Sequence, residues 1–119
     1  MPGKISTHVL DTNSGRPAAG MLVQCHRLLE DGSRMLIKEG ETNADGRLDA
    51  PLVQGDDLLP GIYELTFHVG AYFQGNAVEA HKPDFLDQVP VRFTVTDGTQ
   101  SYHVPLLVTP WSYTTYRGS

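Results

Sequence analysis

The chain has 119 residues, with 9 Lys and Arg against 14 Asp and Glu, a net charge of −5 and a single cysteine. That length supports one domain, residues 1–119, with a core that needs no disulfide staples. The composition lacks the Lys/Arg stripe that nucleic acid demands, and no apolar run is long enough to span a bilayer.

Met1 to Lys4 leads directly into a strand-like segment with no apolar leader, so a cytoplasmic chain is expected. Ile5, Thr7 and Val9 share one face of a first strand, and Ser6, His8 and Leu10 share the other. Asp11 to Gly20 is a Gly- and Pro-containing connection. Met21 to Leu28 is the second strand; Cys25 alternates with Met21 and Val23, the pattern of a buried thiol rather than a nucleophile. Asp31-Gly32 tolerates the positive φ of a tight hairpin turn, and Arg34 to Lys38 returns as the third strand. Asn43-Ala44-Asp45-Gly46 is a turn before a short fourth strand, Arg47 to Leu52, and Gln54 to Pro60 is a loop.

Gly61 to Val69 is the clearest strand, with Tyr63, Leu65, Phe67 and Val69 on one face. Gly70 to Val78 lacks alternation and fits a short helix. Glu79 to Gln88 is polar and irregular. Val89, Val91, Phe93 and Val95 mark the sixth strand. Tyr102 to Leu107 and Ser112 to Tyr116 form a last pair around a Thr109-Pro110-Trp111 turn. About eight short strands with Gly-rich turns describe a β-sandwich or barrel. Pro90 and Pro105 cannot donate to a ladder, so each should lie at an edge or a bulge. Arg117-Gly118-Ser119, a charged, hydroxyl-bearing terminus on a strand end, is expected to be placed rather than free, an ordinary edge hairpin with a soluble end being the alternative.

If the apolar faces of the first and seventh strands point inward, His8 and His103 both look outward. Two such imidazoles meet in a groove or across an interface, where one takes a proton from water near neutral pH, or they are separate surface histidines; periodicity leaves both open. Arg47, at a strand start after a turn, suits an anion or a carbonyl-rich ligand. No His-x-His, Cys-x-x-Cys or His-Glu-x-x-His spacing supports a metal, and no nucleophile elbow or phosphate loop is present.

Three segments carry a resemblance. Thr7 to Thr12 with Gly15-Arg16-Pro17-Ala18, Asp45-Gly46-Arg47, and His103 to Leu107 with terminal Tyr116-Arg117-Gly118-Ser119 are together similar to the 5-hydroxyisourate hydrolases of the transthyretin-like family. The terminal tetrapeptide is the specific part, since it separates these hydrolases from hormone-carrying transthyretins of the same fold. The resemblance implies an all-β, transthyretin-like β-sandwich of about eight strands with one short helix. It implies a homotetramer, a dimer of dimers with sites in the channel between dimers, acting on the small molecule 5-hydroxyisourate without an organic cofactor. His8, Arg47, His103 and Ser119 would match catalytic positions, and His8, Arg47 and Tyr116 substrate-binding positions; Arg117 has no separate step. Two departures stand out: Ser101 replaces a histidine that many relatives carry two residues before His103, and the 79–88 segment is longer and more polar than usual. Relatives also occur in periplasm and peroxisomes, but Arg117-Gly118-Ser119 matches a peroxisomal signal poorly. The competing readings are a carrier, whose channel should be lined by bulky apolar residues, and an adhesive sandwich domain.

Overall fold

The computed structural model describes residues 3–75 and 84–118. In chain order the elements are β1 (Lys4–Asp11), β2 (Arg16–Pro17), β3 (Leu22–Leu28), β4 (Arg34–Glu41), β5 (Val53–Gln54), β6 (Gly61–His68), α1 (Val69–Phe73), β7 (Gln88–Val95), β8 (Tyr102–Val108) and β9 (Tyr113–Thr115). Two sheets form, β2-β1-β8-β9 and β4-β3-β6-β7, and β5 adds to the free edge of β1. The sandwich with one short α-helix expected from the sequence is the fold observed. Two of the nine strands among the described residues, β2 and β5, are only two residues long and leave no pattern to read.

The alternations pack as their period dictates. Ile5 and Val9 of β1 meet Tyr63, Leu65 and Phe67 of β6 in the core, all fully buried, each such side chain contributing roughly 1.5–3 kcal/mol over exposure. Cys25 is buried there too, and burial pushes its thiol up to about 12, so it is inert. The strands pair antiparallel except β1 and β8, which run parallel from Ile5↔Tyr102 to Asp11↔Val108. Thr7, on the inner face, tacks this pair together through Oγ1 to the Val104 carbonyl at 2.7 Å. A register slip would turn that hydroxyl away from its acceptor and Ile5 and Val9 out of the core.

Two expectations need correction. Arg47 to Leu52 is not a strand. Arg47 bridges His8, and Val53 pairs with Ile5. A regular ladder from Ile5↔Val53 would place Ala50 opposite His8, so the segment carries three extra residues between its anchors. Those residues bow away from β1, with Pro51 lacking a donor and its carbonyl taken by Lys38 Nζ at 3.3 Å. Pro90 does lie on an edge strand, β7, but Pro105 lies in β8, which has neighbours on both sides. Its carbonyl accepts from Thr115 Oγ1, so its nitrogen faces the same flank, one residue beyond the last β8–β9 pair at Leu106↔Thr115. No ladder donor is lost there. The short helix expected within 70–78 is α1, which ends at Phe73; residues 76–78, and residues 79–83 of the polar segment, lie outside the described residues. Among the described residues no helix is long and apolar enough to cross a membrane.

Candidate active site

The site lies on the outward face of β1 and β8. Parallel register sets Ser6 directly opposite His103, with His8 two residues further along the same face. Ser6 Oγ lies 2.9 Å from His103 Nδ1. His103 is half-buried, and its pKa is held below the ordinary 6.5 by burial first, then by the charges of Arg47, His8 and Lys4. A neutral imidazole is the form that accepts a proton.

The Asn43–Gly46 turn brings Arg47 to this face. Asn43 Oδ1 accepts from the amides of Asp45 and Arg47 at 2.9 and 3.2 Å, which closes the turn locally. Gly46 has φ +78°, and a Cβ there would come within 2.3 Å of the Val9 carbonyl oxygen, so only glycine lets the turn dock on β1. The docked turn receives the Val9 amide at Gly46 O, 2.8 Å, and His8 Nε2 donates to the Asp45 carbonyl at 2.9 Å. A carbonyl only accepts, so neutral His8 carries its proton on Nε2, leaving Nδ1 open.

A cavity of about 250 Å³ opens beside these residues, lined by Lys4, Ser6, Arg47, His103 and the bowed segment Leu48 to Pro51. Lys4 and Arg47 make no ion pair among the described residues. The carboxyl-terminal segment is docked, as expected. The Gly118 amide donates to the His103 carbonyl at 2.8 Å, and a Cβ at Gly118 would meet His103 Cδ2 at 2.6 Å. Arg117 holds that segment, donating to Gln100 Oε1 and the Ser101 carbonyl at 3.1 Å each, with its guanidinium 4.3 Å from the Tyr102 ring centre.

Of the residues singled out from the sequence, His8, Arg47 and His103 are thus brought together, although His8 lies outside the cavity lining. Tyr116, 58% exposed, lines a different cavity of about 330 Å³ with Phe93, Tyr102 and Arg117. Ser119 lies outside the described residues. Lys4 and Ser6 were missed. Ser6 shares a strand face with His8, which was a signal, but its contact with His103 depends on a pairing 97 residues apart. Among the described residues no group of three His, Cys, Asp or Glu side chains could hold a metal.

A transthyretin-like sandwich with a cationic, imidazole-bearing sheet face is the class these features define. Residues 5–118 match the HIUase/Transthyretin family model, and the chain belongs to that family. It is 57% identical over 118 residues to a 5-hydroxyisourate hydrolase of Deinococcus radiodurans, spanning 99% of this chain and 97% of that protein. Among solved structures it is similar to Klebsiella pneumoniae 5-hydroxyisourate hydrolase, with TM-score 0.78 and 32% identity over 98% of this chain and 99% of that one. It is also similar to sea bream transthyretin in complex with thyroxine, with TM-score 0.85 and 26% identity over 97% and 94%. Backbone likeness therefore does not separate hydrolase from transthyretin; sequence identity does.

Proposed function

We propose that this chain is an enzyme that hydrolyses 5-hydroxyisourate to 2-oxo-4-hydroxy-4-carboxy-5-ureidoimidazoline. The observation that carries the reading is His103: half-buried, held below its ordinary pKa, and facing a cavity it shares with Arg47, which makes no ion pair among the described residues. A carrier has no use for a neutral base beside an open cation.

In the reaction a water oxygen adds to a ring amide carbonyl, the ring C–N bond breaks, the carbonyl carbon becomes a carboxylate and the ring nitrogen takes up a proton. Water is a poor nucleophile at neutral pH, so His103 removes its proton as it attacks. Nε2 of His103, the ring nitrogen that does not face Ser6, takes this step. Arg47 holds the ring and offsets the negative charge growing on the carbonyl oxygen. His8, with Nε2 committed to Asp45, orients substrate or water. Lys4 adds a second positive charge where the product carboxylate forms. Tyr116 as a binding residue and the Ser119 hydroxyl as a water-positioning group complete the assignment. The step as drawn uses water and side chains alone.

We also assign a homotetramer, a dimer of dimers with its sites between dimers. Supporting this, the cavity is open, His8 and Arg47 lie on an uncovered sheet face, and Tyr116 lines a separate cavity in a single protomer. A single, unpaired cysteine suits a cytoplasmic location. The test is an ultraviolet time course on 5-hydroxyisourate freshly made from urate by urate oxidase. Decay should accelerate in proportion to added protein. A folded protein that leaves the spontaneous decay unchanged would replace the hydrolase with the carrier.

A further inference from the structure

Ser6 occupies the nitrogen of His103 that the hydrolytic step leaves unused. We propose that Ser6 is a positioning residue for His103, its hydroxyl accepting a hydrogen bond from Nδ1 and so presenting Nε2 as the basic nitrogen. The proposal rests on the reading of His103 as the base.

The contact is imposed by the backbone. Ser6 and His103 are register partners in the parallel β1–β8 ladder, so both side chains leave the same face side by side. From the opposite face Thr7 ties the same two strands through the Val104 carbonyl, which keeps the partners in register. Imidazole Nδ1 and Cδ2 are the two atoms flanking Cγ, and both are held. Ser6 Oγ sits 2.9 Å from Nδ1, and Gly118 packs so closely on Cδ2 that a methyl group there would come within 2.6 Å. A ring pinned on both flanks has one rotamer, with Nε2 at its free tip.

The chemistry of the partner also matters. A hydroxyl accepts the Nδ1 hydrogen without bringing charge. A carboxylate in its place would stabilise imidazolium and raise the pKa of the base. With a neutral partner nothing opposes burial and, after it, the charges of Arg47, His8 and Lys4, and the pKa of the ring stays below its ordinary value.

The experiment is nitrogen-15 NMR of the His103 ring, without substrate, in the unsubstituted protein, Ser6→Ala, Ser6→Thr and Ser6→Asp, each paired with a pH–rate profile. The unsubstituted protein and Ser6→Thr should show the Nδ1–H tautomer at neutral pH. Ser6→Ala should lose it and lose about 10–100-fold in kcat, the usual scale when a histidine's orienting partner is removed, with KM unchanged. Ser6→Asp should move the acid limb of the profile to higher pH by about one unit or more. An Nε2–H tautomer in the unsubstituted protein overturns the proposal. So does a Ser6→Ala protein with unchanged tautomer, or with a changed tautomer and full kcat. Because the tautomer is read without substrate, its failure is distinguishable from failure of the hydrolase reading, which would appear as absent turnover in all four proteins. Ser6→Thr controls for folding.

Discussion

Both sheets carry histidines, arginines and hydroxyls on their outward faces, but the two faces treat charge in opposite ways. On β3, β4, β6 and β7 the buried charge of Glu64 is closed off. Glu64, whose side chain is 7% exposed, accepts from Arg34 at 2.9 Å and from Arg92 at 3.1 Å. Gln24 bridges His68 at 2.8 Å and Glu39 at 3.1 Å. On β1 and β8, Lys4 and Arg47 sit beside imidazoles with no carboxylate in ion-pair range among the described residues. Paired charges add little net stability and leave nothing for a ligand. Uncompensated cations next to a neutral base hold their field ready for charge that arrives with the substrate. Residue type does not distinguish the faces; compensation does.

The largest expected effect tests the open face. His103→Ala should lower turnover by about 10²–10⁴-fold while circular dichroism and thermal unfolding show an intact sandwich. Near-normal turnover would erase the distinction between the faces. Acidification should act in the same direction. The folded chain protonates His103 below 6.5, whereas the unfolded chain does so near about 6.5. Activity should therefore be level at neutral pH and fall through a midpoint under 6.5. Between the two pKa values the unfolded state binds more protons, so this group's share of stability is complete above about 6.5 and is lost as pH falls through the folded value. Thermal unfolding against pH, compared with His103→Gln, should show that slope shrinking in the variant. The smallest effect on activity belongs to the closed face. Glu64→Gln removes the negative charge shared by Arg34 and Arg92 and replaces one of its two acceptor oxygens with a donor, and should cost about 1–2 kcal/mol, seen as a lower unfolding temperature, with kcat unchanged. A collapse of kcat in that variant would show the closed face to be more than structural.

Much of this was legible before any coordinates. Period-two alternation in β1, β6 and β8 placed Ile5, Tyr63 and Leu106 inside and turned His8 and His103 outward, because side-chain direction is a local property of an extended chain. Pairing is not local. Nothing in β1 announces that it lies parallel to β8, so the Ser6–His103 contact was invisible although both residues were correctly faced. Leu48, Ala50 and Leu52 alternate well enough to suggest a strand. Asp49 and Pro51 and three surplus residues make that segment a cavity wall instead. Glu64 sits on the polar face of β6, yet it is 5% exposed because arginines from flanking strands close over it. Tyr116 belongs to the terminal motif, but its place in a separate cavity depends on how β9 ends, which a motif does not encode.

The parallel join of β1 to β8 also gives the site a history in time. Thr7 and Val104, like Ser6 and His103, are 97 residues apart. At about 5–20 residues per second on the ribosome, the second strand follows the first by roughly 5–20 s. Through that interval β1 has left the tunnel with one flank of amides and carbonyls unpaired, an edge open to any stray strand. With His103 as the proposed base, the candidate site waits for β8, and a nascent chain that stalls before residue 103 carries His8 and Arg47 without it.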